Sequence, residues 1–211
     1  MKGILGLLRM SSRNSKPQQD HSDSVFFSTA FANQGVDPAM LVPWEARAVE
    51  VGAKRMPASK GGKLLQGLWS KDKYMAHLDQ DAVHRMENFF EFAQVPPNRD
   101  LIRQDEYGNF MIVLLSGTIA VDRLQPWGEQ LRLAETRPGD ILGEMSLLDS
   151  GIRFSACTSL TECEIAVLSA EGMDEMMAKD PQLAASLIAL LARKLSLRLR
   201  AVSARLSENQ K

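Results

Sequence analysis

One stretch of the 211-residue chain concentrates residues suited to holding a small anion. From Arg137 to Ala156 it reads RPGDILGEMSLLDSGIRFSA, with Gly139-Asp140, Gly143-Glu144, Met145-Ser146-Leu147 and then Arg153. Gly143 lets the main chain approach a ligand with no side chain in the way. A short helical turn after it would aim backbone N–H groups, Ser146's among them, at an anion. Arg153 offers a planar fork whose charge-assisted bonds are stronger than neutral ones. Glu144 adds an acceptor. The plainer reading of the same residues is a turn closed by a structural ion pair between Glu144 and Arg153.

Other chemistries find less support. The three histidines, His21, His77 and His84, all precede the region where strands begin, so no histidine cluster is available for a metal inside a small barrel. His77 and His84 stand seven apart, which misses the i, i+4 metal pair of a helix. Gly52 to Lys63 holds glycine and lysine without phosphate-loop spacing, and no nucleophile–His–acid set can be assembled in the body. No catalytic residues and no metal are expected, and the protein is not expected to be an enzyme. Cys157 and Cys163 lie symmetrically about Leu160 and are read as reduced cross-strand neighbours of a hairpin.

The elements that must position the segment follow from periodicity. After Glu87 the period changes to short strand-length runs, of which Phe90–Val95 and Thr118–Asp122 alternate apolar and polar residues; the others are Leu101-Ile102, Phe110–Leu115, Leu131–Glu135, the run to Leu148, Phe154–Ser159 and Glu162–Leu168. Turn residues such as Pro96-Pro97, Ser116-Gly117 and Pro126-Trp127-Gly128 separate them. Seven or eight strands at this spacing predict an antiparallel sandwich or barrel, a jelly roll at this size. Helical spacing precedes it (Leu64, Leu65, Leu68, Trp69, then Met75, Leu78, Val83, Met86) and resumes at Ala170. Asp180-Pro181 restarts a helix reaching about Ser207, with an apolar stripe of Leu187, Ile188, Leu191, Leu195, Leu199, Val202 and Leu206. The expected architecture is mainly β with flanking helices: an antiparallel β jelly-roll barrel with N-terminal helices and a long C-terminal helix. The divisions are a polar leader at 1–62, a helical lead-in at 63–88, the barrel at 89–169 and C-terminal helices at 170–211.

The leader is read as lacking a core of its own, much of it disordered or draped over the rest. Its first apolar stretch, Ile4 to Leu8, is shorter than a secretory h-region. It suits a disordered or partner-docked end, with a short amphipathic anchor as the alternative. No apolar run is long enough to span a bilayer. Apolar residues make up 45% and charged residues 24%, an ordinary globular balance. The net charge of −1 conceals a segregation. Residues 1–65 carry nine basic and five acidic side chains, residues 66–192 ten and twenty, and residues 193–211 six and one. The basic end helix is expected to pair with the acidic body or a partner, and DNA binding is not expected.

The Arg137–Ala156 segment resembles the phosphate-binding cassette of the cyclic nucleotide-binding domain, the family of catabolite activator proteins and protein kinase A regulatory subunits. Gly139-Asp140, Gly143-Glu144, Met145-Ser146-Leu147 and Arg153 hold the family spacing, with Gly108 and Ser116-Gly117 at the usual turns. The resemblance covers about residues 84–205. It implies that Gly143, Glu144, Met145, Ser146, Arg153 and Phe154 contact phosphate and ribose, with Glu144 accepting from the 2′-hydroxyl, and that Arg198 on the last helix reaches the base. Ile152 and Phe154 depart from the family, which often has Pro at the first position and Ser, Thr or Ala at the second. Cyclic AMP is the default ligand, with cyclic di-GMP or another nucleotide as an alternative, and no further cofactor is implied. The expectation is a cytoplasmic sensor that signals to an unidentified effector protein by movement of its C-terminal helix, and that forms a homodimer through that helix. Only 42 residues follow Ser169, which leaves no room in this sequence for a helix-turn-helix domain. The alternative function is a degenerate barrel serving as a protein-interaction or dimer scaffold.

Overall fold

The computed structural model describes residues 25–72, 75 and 80–208. The body is a sandwich of two antiparallel sheets. Strands β1 (Lys54–Arg55), β2 (Glu91–Val95), β4 (Phe110–Ser116), β7 (Ile141–Leu142) and β9 (Cys163–Ser169) form one sheet in the order β1-β2-β9-β4-β7. Strands β3 (Asp100–Ile102), β5 (Ile119–Leu124), β6 (Gln130–Glu135) and β8 (Ala156–Ser159) form the other, in the order β3-β8-β5-β6. The fold class is the jelly-roll barrel that the turn spacing implies.

Strand β4 shows why the pattern matters. Its sequence FMIVLLS is apolar almost throughout, because both faces are covered. Phe110, Ile112 and Leu114 face the barrel interior with Ile119, Leu142, Cys157, Ile165 and Val167. Met111, Val113 and Leu115 face a second core beneath the helices, with Leu65, Trp69, Met173, Met176 and Leu187. The helices of that layer are α3 (Ala58–Trp69), α4 (Gln80–Met86), α6 (Ala170–Lys179) and α7 (Pro181–Glu208). From Ser196 to Ser207 every residue of α7 is exposed.

Two expectations change. Strands β8 and β9 do not form a hairpin: β8 pairs with β3 and β5, whereas β9 pairs with β2 and β4. Leu160 and Thr161 carry the chain from one sheet to the other, so Cys157 and Cys163 both point into the interior and are free thiols rather than cross-strand neighbours. Burial pushes the Cys157 thiol up to about 12, which keeps it protonated at neutral pH.

The described part of the leader is packed. Helix α1 (Phe26–Asn33) buries Phe27 and Phe31, and α2 (Trp44–Val51) buries Trp44, Arg47 and Val51. Strand β1 then adds to β2 in register Lys54↔Gln94 and Arg55↔Ala93. Draping is the half of the expectation that applies here, and the apolar residues between the prolines are what it buries. Residues 1–24, with His21 and the apolar start, lie outside the described residues, as does His77. The start of α1 is held by a residue far along the chain. Asp174 of α6 is 3% exposed and accepts from the Phe27 amide at 2.8 Å, the Ser28 amide at 2.8 Å and the Ser28 hydroxyl at 2.6 Å. A carboxylate on first-turn amides does the work of an N-cap. Asp174→Ala is expected to cost about 1–2 kcal/mol in urea unfolding and to speed amide exchange in residues 26–33. Unchanged exchange there would contradict this account.

Candidate functional site

The Arg137–Ala156 segment folds as turn, strand, turn and short helix. Gly139, at φ 94, makes the turn after Arg137-Pro138, where the Asp140 carboxylate accepts from the Arg137 amide at 2.8 Å. After β7, Gly143 adopts φ 73, the left-handed conformation that glycine takes without a Cβ penalty. It stands at the head of α5 (Glu144–Asp149). Gln34 at the end of α1 reaches this helix, donating to the Asp149 carbonyl at 2.9 Å.

Arg153 is the centre of the arrangement. It is 3% exposed. Its Nη1 donates to the Gly143 carbonyl at 2.7 Å and its Nη2 to the Phe110 carbonyl at 2.7 Å. The guanidinium also lies over the Phe110 ring, 4.7 Å from its centroid. Its main chain is clamped to the loop before β4: the Arg153 amide donates to the Glu106 carbonyl at 2.8 Å, and the Asp105 amide donates to the Arg153 carbonyl at 2.9 Å. Gly108 matters for space, since a Cβ there would stand 2.7 Å from Nη2. Among the described residues no carboxylate forms an ion pair with Arg153. Burial lowers the guanidinium to about 10, which still leaves it charged at neutral pH.

Glu144 is 4% exposed and pairs with Arg198 of α7, not with Arg153. The anticipated pairing within the segment therefore does not form; the last helix supplies the cation. Arg198 also donates through Nη2 to the Ile141 carbonyl at 3.0 Å. Lys194, one turn earlier, lies 3.4 Å from Asp72 and 3.4 Å from the Gly139 carbonyl. Two cations of the basic end helix thus meet acids of the body, as the charge segregation suggested.

The remaining candidates separate by exposure. Ser146 is buried within α5, and its carbonyl accepts from the Ser150 amide at 2.9 Å. Met145, Ile152 and Phe154 are each about half exposed. The Phe154 ring lies under the Arg123 guanidinium, 4.0 Å from its centroid, and Arg123 Nη1 donates to the Phe154 carbonyl. A bulky side chain is tolerated at this position because it turns to the rim and finds a cation there. The structure thus gathers Gly143, Glu144, Ser146, Arg153 and Arg198, and leaves Met145 and Phe154 at the rim. Sequence reading passed over Phe110, Glu106, Arg123 and Arg47. Only Gly108, noted as a turn landmark, pointed toward this loop. Among the described residues no group of three or more His, Cys, Asp or Glu side chains is placed to hold a metal. His84 is solvent-facing and lies 3.0 Å from Glu87.

The double-faced jelly roll, the glycine-headed turn and the buried arginine beneath it lie in residues 92–180, which match the cyclic nucleotide-binding domain family. Among similar curated proteins are the cyclic AMP receptor protein of Thermus thermophilus, 31% identical over 51% of this chain and 50% of that protein, and a CRP-like cAMP-activated global transcriptional regulator of Mycobacterium tuberculosis, 25% identical over 56% and 53%. The chain spans about half the length of the curated relatives it matches. Among solved structures, a cyclic nucleotide-binding domain from Methylobacillus flagellatus shares the fold at TM-score 0.67, with 22% identity over 72% of this chain and 86% of that one. The cAMP-bound regulatory domain of Toxoplasma gondii protein kinase A aligns at TM-score 0.54, with 16% identity over 65% and 51%. Among the described residues no helix is long and apolar enough to cross a membrane.

Proposed function

We propose that the protein is a cytoplasmic, non-enzymatic cyclic-nucleotide sensor, with cyclic AMP as its ligand. The observation that carries this reading is Arg153: a guanidinium almost wholly removed from water, with no carboxylate to neutralise it among the described residues. A buried charge is costly when unpaired, and an anionic ligand at that point offsets the cost. The first-turn amides of α5 lack helical acceptors and lie beside it, and the Gly143 turn keeps the approach open. The similar curated proteins, a cyclic AMP receptor protein and a cAMP-activated regulator, favour cyclic AMP over other cyclic nucleotides.

The signal leaves through α7. Glu144, the expected partner of a ribose hydroxyl, is held by Arg198, so ligand and helix address the same carboxylate. Whatever changes the Glu144–Arg198 contact shifts the position of α7, and an effector protein that reads the helix sees the change. Calorimetric titration with cyclic AMP, cyclic GMP and cyclic di-GMP tests the reading. Binding of cyclic AMP above the others supports it; preference for cyclic di-GMP reassigns the ligand, and no binding to any of them leaves the barrel as an interaction scaffold.

The exposed end of α7 is the surface for a second copy of the chain. Leu195, Leu199, Val202 and Leu206 recur at four-, three- and four-residue intervals, the seam of a two-stranded coil. Arg198 and Arg205 flank that seam on one side and Ser196 and Ser203 on the other. A parallel pair sets arginine opposite serine, whereas an antiparallel pair sets arginine opposite arginine. Light scattering is expected to give a particle of twice 23.4 kDa, reverting to the single mass in Leu199→Glu/Val202→Glu. A wild-type particle of single mass refutes the dimer.

A further inference from the structure

Two acids act electrostatically on Arg153, Glu106 and Glu144, and each is engaged by a different arginine. Arg198 takes Glu144. Glu106 is taken by Arg47, which comes from α2, outside the residues that match the family. Arg47 is 1% exposed, and its Nε finds no acceptor among the described residues, so its burial calls for a compensating role. Its two terminal nitrogens go to Glu50, at 2.6 Å, and to Glu106. Arg103 attends the other oxygen of Glu106 at 3.6 Å, but Arg103 is half exposed and is also paired with Glu50. Arg47, Glu106, Gly108 and Arg153 line one narrow crevice.

Segment 41–47 is fixed to this loop at three further points. The Val42 amide donates to the Tyr107 carbonyl at 2.9 Å, and Leu41 and Tyr107 form a parallel bridge. Trp44 packs edge-on against Phe110 at 5.6 Å, the residue whose carbonyl and ring receive Arg153. The extension therefore touches Phe110, one of the two residues that hold the guanidinium, and the loop that clamps the Arg153 main chain.

We propose that Arg47 is a positioning residue of the nucleotide site: by engaging Glu106 it keeps that carboxylate off Arg153 and leaves the guanidinium to the cyclic phosphate. This rests on the sensor reading. With Arg47 removed, Glu106 is drawn to the nearest buried cation, Arg153, and competes with the ligand for it. The nucleotide then has to displace an internal anion before it binds. Because coupling between two sites is reciprocal, bound nucleotide strengthens the docking of segment 41–47 in turn.

The test combines Arg47→Gln, Glu106→Gln and the double variant in the full chain, with two measurements. Cyclic AMP titration is expected to show affinity falling about tenfold in Arg47→Gln, the effect of one competing charge at short range. Glu106→Gln is expected to bind as wild type, and the double variant to recover wild-type affinity. The second measurement needs no nucleotide: the Nε–H resonance of Arg153, assigned by its loss in Arg153→Lys, moves in Arg47→Gln and returns in the double variant. Equal weakening in Arg47→Gln, Glu106→Gln and the double variant would show a simple structural strut and overturn the proposal. So would an Arg153 resonance that is the same in wild type and Arg47→Gln. If Arg47→Gln does not fold, a loss of affinity in Glu106→Gln alone overturns it. A wild-type chain that binds no cyclic nucleotide defeats the sensor reading, while the resonance cycle still decides the role of Arg47.

Discussion

Arg153→Ala is expected to abolish the proposed cyclic nucleotide binding, with an affinity loss of at least about 100-fold, the scale of a charge-assisted bidentate contact in a dry site. The fold is expected to survive the change. Truncation leaves the Gly143 and Phe110 carbonyls without their donor, yet it also removes a buried guanidinium that has no carboxylate partner. These effects oppose one another, and the net change in unfolding free energy is expected within about 1–2 kcal/mol. Arg153→Lys retains the charge but cannot donate to two carbonyls in one plane, so it recovers only part of the affinity. Calorimetry and urea denaturation on the same samples check both halves. Retained binding in Arg153→Ala would place the phosphate elsewhere.

The second large effect is expected at Gly143, where stability and binding fall together. A Cβ at this position would stand 2.6 Å from Arg153 Nη1, 2.8 Å from Ile102 Cδ1 and 3.2 Å from the Phe110 carbonyl. The backbone at φ 73 adds about 1–2 kcal/mol for any L side chain, and crowding brings the total for Gly143→Ala to about 2–4 kcal/mol. Because the first atom met is the arginine itself, the guanidinium moves off its two carbonyls before anything else yields. Gly143→Ala should therefore lower the urea midpoint and weaken nucleotide binding in one step. A variant with wild-type stability would mean that the turn is not held as described.

Much of the barrel was legible because strands announce themselves through alternation and turn residues. Strand β4 is an apolar run in the sequence, closed by Ser116-Gly117; both features are local. The sheet partners of β8 and β9 were not legible. A short link looks like a hairpin from sequence, and only the opposing sheets decide otherwise. Strand β1 escaped notice because two residues, Lys54 and Arg55, carry no period, and their place is set by pairing with β2. The site divides in the same way. Gly143, Glu144 and Arg153 were visible through glycine and charge at fixed spacing within one segment. That Glu144 meets Arg198, 54 positions away, depends on where α7 crosses the barrel. That Arg47 and Glu106 belong beside Arg153 depends on a helix folding back across the mouth, which proline-interrupted, mostly polar sequence does not reveal.

The hold of Asp174 on α1 also sets an order of events during synthesis. The amides of Phe27 and Ser28 wait for a carboxylate that lies 147 and 146 residues later. At translation rates of about 5–20 residues per second, that interval is roughly 7–30 seconds. A shorter delay governs the larger sheet, since β2 and β4 both pair with β9, the last of the described strands to be made. Until β9 emerges from the ribosome, Phe92 and Val95 of β2 and the whole apolar run of β4 lack their central partner. The nascent chain thus carries these apolar strands without their central partner until β9 is made, and α1 is secured later still, once Asp174 has followed.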